Sequence, residues 1–177
     1  MSYFKIYGRQ RTGTNYIYIY ILMSYFKIYG KQRTGTNYIS SVLLDNFIDV
    51  KVFMNVGGWK HGNFIVIPNK INLVNSVDIT TKNEIDIDQT IDLFKNNKVN
   101  FIVIIKNPYM WVHSICKYYN KPIQNELFVI EQIKIWNEIY SEYKQYIENG
   151  KAYLVKYEIL LQEPNKVLED LIKKFDL

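Results

Sequence analysis

Gly30-Lys31-Gln32-Arg33-Thr34-Gly35 carries the clearest chemical signal in the chain. A glycine stands at each end, with two cations between. Tyr25 to Tyr29 before it alternates and is rich in β-formers, so it predicts a short strand. Thr36 to Asn46 after it predicts a helix, with Ile39, Val42, Leu43 and Phe47 on one apolar face. Strand, glycine loop and helix make an anion cradle, because the open N–H groups and dipole of a first helical turn both favour negative charge. A strand–turn–helix with incidental basic residues is the plainer alternative. A second polar cluster lies in Asn55 to Gly62, where three glycines allow close backbone approach. Trp59, Lys60 and His61 there offer a stacking surface, a cation and a titratable base. The alternatives are a partly buried anchor for Trp59 and a surface loop residue for His61.

The spacing of the two glycines matches that of the P-loop of nucleotide triphosphatases, but that motif continues with Lys and then Ser or Thr. Here Thr36 and Asn37 follow, and the cations sit inside the loop. The most apolar run, Val99 to Ile105, predicts a strand buried on both faces, as in parallel sheets. It ends in Lys106-Asn107-Pro108, without the Asp that a magnesium-dependent P-loop enzyme commonly places there. Both departures argue against magnesium-ATP chemistry.

The elements that must position these residues follow in order. Val50 to Met54 predicts a second strand, Phe64 to Ile67 a further short one, and Pro68 to Glu84 a loop. Asp88 to Asn96 predicts a short helix, and Pro108 opens another through Tyr119. Gln124 to Glu148 predicts a long helix with Leu127, Ile130, Ile133, Ile135 and Ile139 among its apolar positions, ended by Asn149-Gly150. Ala152 to Tyr157 predicts the last strand and Pro164 to Phe175 the last helix. Strands alternating with helices imply an α/β fold, a layered sheet with right-handed crossovers.

Residues 1 to 17 recur at 23 to 39 with one difference, Arg9 against Lys31. A repeat that occurs twice and stops reads as a tandem duplication rather than a solenoid. The first copy runs into Tyr-Ile-Tyr-Ile-Leu, with no helix to offer its N-terminus, so the second is expected to be the working one. Residues 1–22 are then expected to lie outside a single domain over 23–177, and Met23 would itself start a complete protein. Lys5, Arg9 and Arg11 supply three of the five net positive charges, so the charge of +5 is no nucleic-acid footprint.

Hydrophobic content of 48% against 22% charged residues implies a globular chain rather than a disordered one. A lone cysteine, Cys116, excludes an internal disulfide and fits a reducing compartment. No apolar run approaches the roughly 18 to 20 residues of a membrane span. The start of the chain lacks a small-residue cleavage site, so a cytoplasmic location is expected.

Three separated segments, in order, resemble the PAPS-dependent sulfotransferases. Lys31 to Tyr38 resembles their 5′-phosphosulfate loop. Ile102 to Ser114 resembles their 3′-phosphate motif, a hydrophobic strand followed by Arg-x-Pro and a later Ser, with Lys106 in place of the Arg. Tyr153 to Pro164 resembles their strand ending in Tyr-Glu-x-Leu. The resemblance implies a three-layer P-loop-like fold, with a mostly parallel sheet flanked by helices. It implies sulfonate transfer from 3′-phosphoadenosine 5′-phosphosulfate to a hydroxyl or amine acceptor, without a metal. The implied site has Arg33 balancing charge on the leaving phosphate and a His or Glu as the base; of His61 and His113, His61 on its glycine loop is the candidate, since His113 points about 100° around its helix from Ser114. Lys31, Gln32, Thr34, Gly35, Thr36 and Asn37 would form the 5′-phosphate cradle. Lys106 and Ser114 would grip the 3′-phosphate, and Tyr38 and Tyr157 would line the adenine. A P-loop phosphotransferase and a non-catalytic nucleotide-binding protein are the rival readings.

Overall fold

The structure is a computed structural model that describes residues 23–68 and 87–177. The expectations for residues 1–22, and for nearly all of the loop from Pro68 to Glu84, lie outside the described residues. A four-stranded parallel sheet runs through the middle in the order β2-β1-β3-β4. The strands are β1 (Ser24–Tyr29), β2 (Val50–Phe53), β3 (Val99–Ile105) and β4 (Ala152–Lys156). Helices α1 (Thr36–Asn46) and α2 (Ile87–Lys95) link the first three strands. Helices α3 (Pro108–Tyr118) and α4 (Glu126–Glu148) lie between β3 and β4, and α5 (Tyr157–Gln162) and α6 (Pro164–Phe175) close the chain.

Period-two alternation assigns each strand residue to one of two cores. Phe26, Ile28, Ile102, Ile104 and Val155 pack with Ile39 and Leu43 of α1, Leu160 of α5, and Val167 and Leu171 of α6. On the opposite face Tyr29, Phe53, Phe101 and Val103 pack with Ile91 and Phe94 of α2 and Tyr140 and Tyr143 of α4. Helix, sheet and helix thus form three layers of a P-loop-like α/β fold. The second copy of the repeat supplies β1, the glycine loop and α1.

The chain goes from β1 outward to β2, then back across β1 to β3 on its other side. Helices α1 and α2 therefore occupy opposite faces, as right-handed crossovers in opposite directions require. The connections leaving β1 toward β2 and β3 toward β4 run to opposite sides and part at the carboxyl ends of β1 and β3, where an open α/β sheet usually forms its ligand crevice. Both Gly30-Gly35 and Lys106-Asn107 start from that crevice.

Two local expectations differ from the structure. Phe64 to Ile67 forms no strand. Side chains take its N–H groups: Phe64 N–H donates to Glu142 and Ile65 N–H to the Tyr29 hydroxyl, which leaves no ladder for it to join. Helix α4 leaves several aliphatic residues of its first half exposed, while Ile139 and Ile147 pack on the core beside its aromatic residues. Leu127, Ile130 and Ile133 are exposed, whereas Trp136, Tyr140, Tyr143 and Tyr146 meet the sheet, and Phe128 and Val129 pack on Trp111 and Ile115 of α3. Among the described residues no helix is long and apolar enough to cross a membrane.

Candidate functional site

Gly30 leaves the sheet where β1 passes closest to β3. A Cβ there would lie 2.7 Å from the Ile104 carbonyl oxygen, so only glycine fits the approach. The loop then tightens on itself: Thr34 N–H and its hydroxyl both donate to the Lys31 carbonyl, at 3.2 and 2.6 Å. Arg33 takes the left-handed conformation with φ 67°, uncommon for a residue with a Cβ and a mark of a loop held by its surroundings. Gly35 follows at φ 96° and precedes α1 with no side-chain cap. The first-turn N–H groups of α1 therefore stay available to an anion.

Four side chains from distant elements hold this loop. Tyr140 of α4 donates its hydroxyl to the Ile104 carbonyl at 2.9 Å and accepts from Lys31 N–H at 3.4 Å. Trp111 of α3 donates its indole N–H to the Gln32 carbonyl at 2.7 Å. Tyr119 reaches the Gln32 side-chain oxygen at 3.4 Å. Tyr157, first residue of α5, lies with its ring directly against Gly35. Sequence reasoning missed Trp111, Tyr119 and Tyr140, because they look like ordinary core aromatics. The only signal for Tyr140 and Trp111 is that a buried hydroxyl or indole N–H needs a partner.

Gly35→Ala tests the fit with Tyr157. A Cβ at this position would lie 2.4 Å from one Tyr157 ring carbon and would force a side-chain residue into a left-handed backbone. A loss of about 1–3 kcal/mol is expected from the backbone alone, with the collision added. Urea denaturation reads it, and an unchanged midpoint would mean the loop sits elsewhere.

Lys106, at the end of β3, donates to the Ser114 hydroxyl at 2.8 Å, and Ser114 donates onward to the Met110 carbonyl at 3.0 Å. The ammonium also lies 5.0 Å from the Tyr157 ring centroid, so Tyr157 sits between Lys106 and Gly35. Burial lowers the Lys106 pKa, Glu158 opposes the shift and the Arg33 guanidinium adds to it. Asn107 caps α3, accepting from the Tyr109 and Met110 N–H groups, and Pro108 occupies its first turn. The Asn107 N–H is held by Glu158 at 2.9 Å. That short chain of contacts fixes where Lys106 starts.

His61 comes to the same place from the loop after β2. Its Nδ1 lies 2.6 Å from the Gly30 carbonyl oxygen. A carbonyl only accepts, so Nδ1 carries the hydrogen and neutral His61 keeps its lone pair on Nε2. Burial lowers its pKa most; the bond to Gly30 raises it, and Lys60, Lys31 and Lys27 lower it further. Gly30 N–H donates to the Lys60 carbonyl at 3.0 Å, and Lys60 in turn donates to Asn37 Oδ1 at 2.6 Å. Trp59 is 53% exposed and meets the His61 ring edge to face at 5.2 Å.

Contacts tie His61 to Gly30 and Tyr157 to both Gly35 and Lys106, and the other expected residues stand in different settings. Lys31 is half-buried, and burial lowers its pKa against the opposing pull of Glu138. Arg33 is exposed, with its guanidinium 5.6 Å from the Tyr118 ring centroid. Thr34 is fully buried and its hydroxyl staples the turn, while Tyr38 stands exposed on α1. His113 beside Ser114 is exposed on α3.

No family model matches the sequence, and no curated protein matches it. The fold is similar to that of mouse sulfotransferase SULT7A1 complexed with PAP, at a TM-score of 0.56 and 13% identity. The likeness covers 88% of this chain and 59% of the mouse chain. At that identity what is shared is the fold.

Proposed function

We propose that the chain is a sulfotransferase that moves a sulfonate from 3′-phosphoadenosine 5′-phosphosulfate to a hydroxyl or amine acceptor. The observation that carries this reading is the Lys106–Ser114 pair at 2.8 Å, formed from residues eight apart, beside the uncapped start of α1. Two anion stations at one crevice suit a nucleotide phosphorylated at both its 3′ and 5′ positions. The fold shared with a sulfotransferase complexed with PAP, read as adenosine 3′,5′-bisphosphate, supports the same reading.

In this mechanism the N–H groups at the start of α1 and the Thr36 hydroxyl hold the 5′-phosphate, with Lys31, Gln32, Thr34, Gly35 and Asn37 shaping the cradle. Lys106 and Ser114 hold the 3′-phosphate, and Tyr38 and Tyr157 border the adenine. His61 Nε2 takes the proton of the acceptor hydroxyl as its oxygen forms the new bond to sulfur. The bond from sulfur to the 5′-phosphate oxygen breaks, and Arg33 balances the charge left there. Stabilisation is mostly electrostatic, because charge shifts between oxygens already held by fixed donors.

Titration calorimetry on Lys106→Ala tests the reading. A charge-assisted contact is worth roughly 1.5 to 3 kcal/mol, so adenosine 3′,5′-bisphosphate should weaken about tenfold or more. Adenosine 5′-phosphate, lacking the 3′ charge, should bind nearly as it does to the unaltered protein. Equal weakening of both would remove the 3′-phosphate role. Tighter binding of ATP with magnesium than of the bisphosphate would replace the sulfotransferase reading with that of a phosphotransferase.

A further inference from the structure

Lys27 stands in β1, a strand paired on both sides, and is 0% exposed. Its ammonium donates to the Gly58 carbonyl at 2.6 Å and the Met54 carbonyl at 3.0 Å, and lies 5.1 Å from the Tyr29 ring centroid. Taking an ammonium out of water is costly unless hydrogen bonds replace its hydration, and an apolar residue is the ordinary occupant of such a position. The two carbonyls bracket the turn at Gly57 and Gly58, which have φ of 77° and 116°. That turn delivers Trp59, Lys60 and His61.

Two further positions of β1 and its exit fasten the same loop. The Tyr29 hydroxyl accepts from Ile65 N–H at 3.1 Å and lies 3.3 Å from the Ile65 carbonyl, to which it donates. Gly30 N–H donates to the Lys60 carbonyl, and the Gly30 carbonyl receives His61 Nδ1. Lys27 is the level at which the loop leaves β2.

We infer that Lys27 is a positioning residue for His61, holding the Met54–Gly58 turn so that Nδ1–H stays on the Gly30 carbonyl and Nε2 keeps the lone pair. The inference rests on His61 acting as the base, and its test needs no turnover. Charge keeps the ring neutral against the opposing effect of the Gly30 bond. The groups facing His61 are Lys60 on its own loop and Lys31 and Lys27 on β1 and its exit. From α4 come Tyr143, whose hydroxyl donates to the Gly62 carbonyl, and Glu142, which accepts from Phe64 N–H. The three cations all oppose protonation of the imidazole.

The experiment is nitrogen-15 NMR of histidine-labelled protein without nucleotide, for the unaltered chain, Lys27→Met and Lys27→Arg, across a pH series. The unaltered chain should show one His61 tautomer, with hydrogen on Nδ1. Lys27→Met loses both carbonyl contacts and the charge, so it should mix tautomers. Lys27→Arg keeps the charge, but its planar head cannot repeat both contacts. It should mix tautomers, and it decides the matter if the methionine variant does not fold. A folded variant of either kind with the original single tautomer would overturn the inference. If the tautomers respond while the unaltered protein transfers no sulfonate from the donor nucleotide, the positioning of His61 stands and the sulfotransferase reading fails.

Discussion

His61→Ala should lower sulfonate transfer by on the order of 10²–10⁴-fold while leaving adenosine 3′,5′-bisphosphate affinity nearly unchanged. The reason is the separation of duties at the crevice. His61 is held through Nδ1 by Gly30 and its lone pair is on Nε2, whereas the anion contacts come from α1, Lys106 and Ser114. Burial and three neighbouring lysines depress the imidazole pKa below its ordinary 6.5. The rate should therefore rise with pH on the acid side of that value and be flat by neutrality, since only the unprotonated ring accepts a proton. The same shift makes acid destabilising. The unfolded chain binds the His61 proton from about 6.5 downward, the folded one only at lower pH, so stability falls as pH drops through that interval. Stopped assays across pH, paired with calorimetry, separate the two effects. A normal rate in His61→Ala would pass the base role to the acceptor or a carboxylate.

Arg33→Met should cut turnover by about 10²–10³-fold, the range for losing one preorganised donor to transition-state charge, and weaken cofactor binding far less. Arg33 lies exposed in the loop, outside the network of Lys31, Thr34, Gln32 and Tyr140 that shapes it. Methionine also has a Cβ and an unbranched stem, so the cost of the left-handed backbone at φ 67° is largely common to both residues and cancels. What the substitution removes is the charge, together with its contact on the Tyr118 ring. If that charge acts only on the leaving phosphate oxygen as its bond to sulfur breaks, kcat falls and affinity holds. Weaker binding with unchanged turnover would reduce the loop to a plain anion site and make the non-catalytic reading the leading one.

The sequence by itself determined the elements that rest on local chemistry. The glycine spacing and the apolar face of Ile39 and Leu43 located the loop and α1, and the largely apolar run Val99–Ile105 located β3. The step from Lys106 to Ser114 came from the family resemblance, and strand end, Asn107 cap, Pro108 and helix set both residues within one short stretch. Side-chain type alone did not tell which part of α4 is inner: Leu127, Ile130 and Ile133 are exposed, and Trp136, Ile139, Tyr140, Tyr143 and Tyr146 meet the core. Tertiary structure alone decided what holds the loop. Trp111, Tyr119, Tyr140 and Tyr157 come from three parts of the chain, and no spacing records that their ring faces and polar ends meet residues 30–35. It also decided the state of His61 and the use of Lys27. A tautomer depends on which acceptor lies within 2.6 Å, here a carbonyl 31 residues away. A buried ammonium depends on carbonyls that only folding brings to it, because hydrogen bonds act over ångströms in space and are blind to distance along the chain.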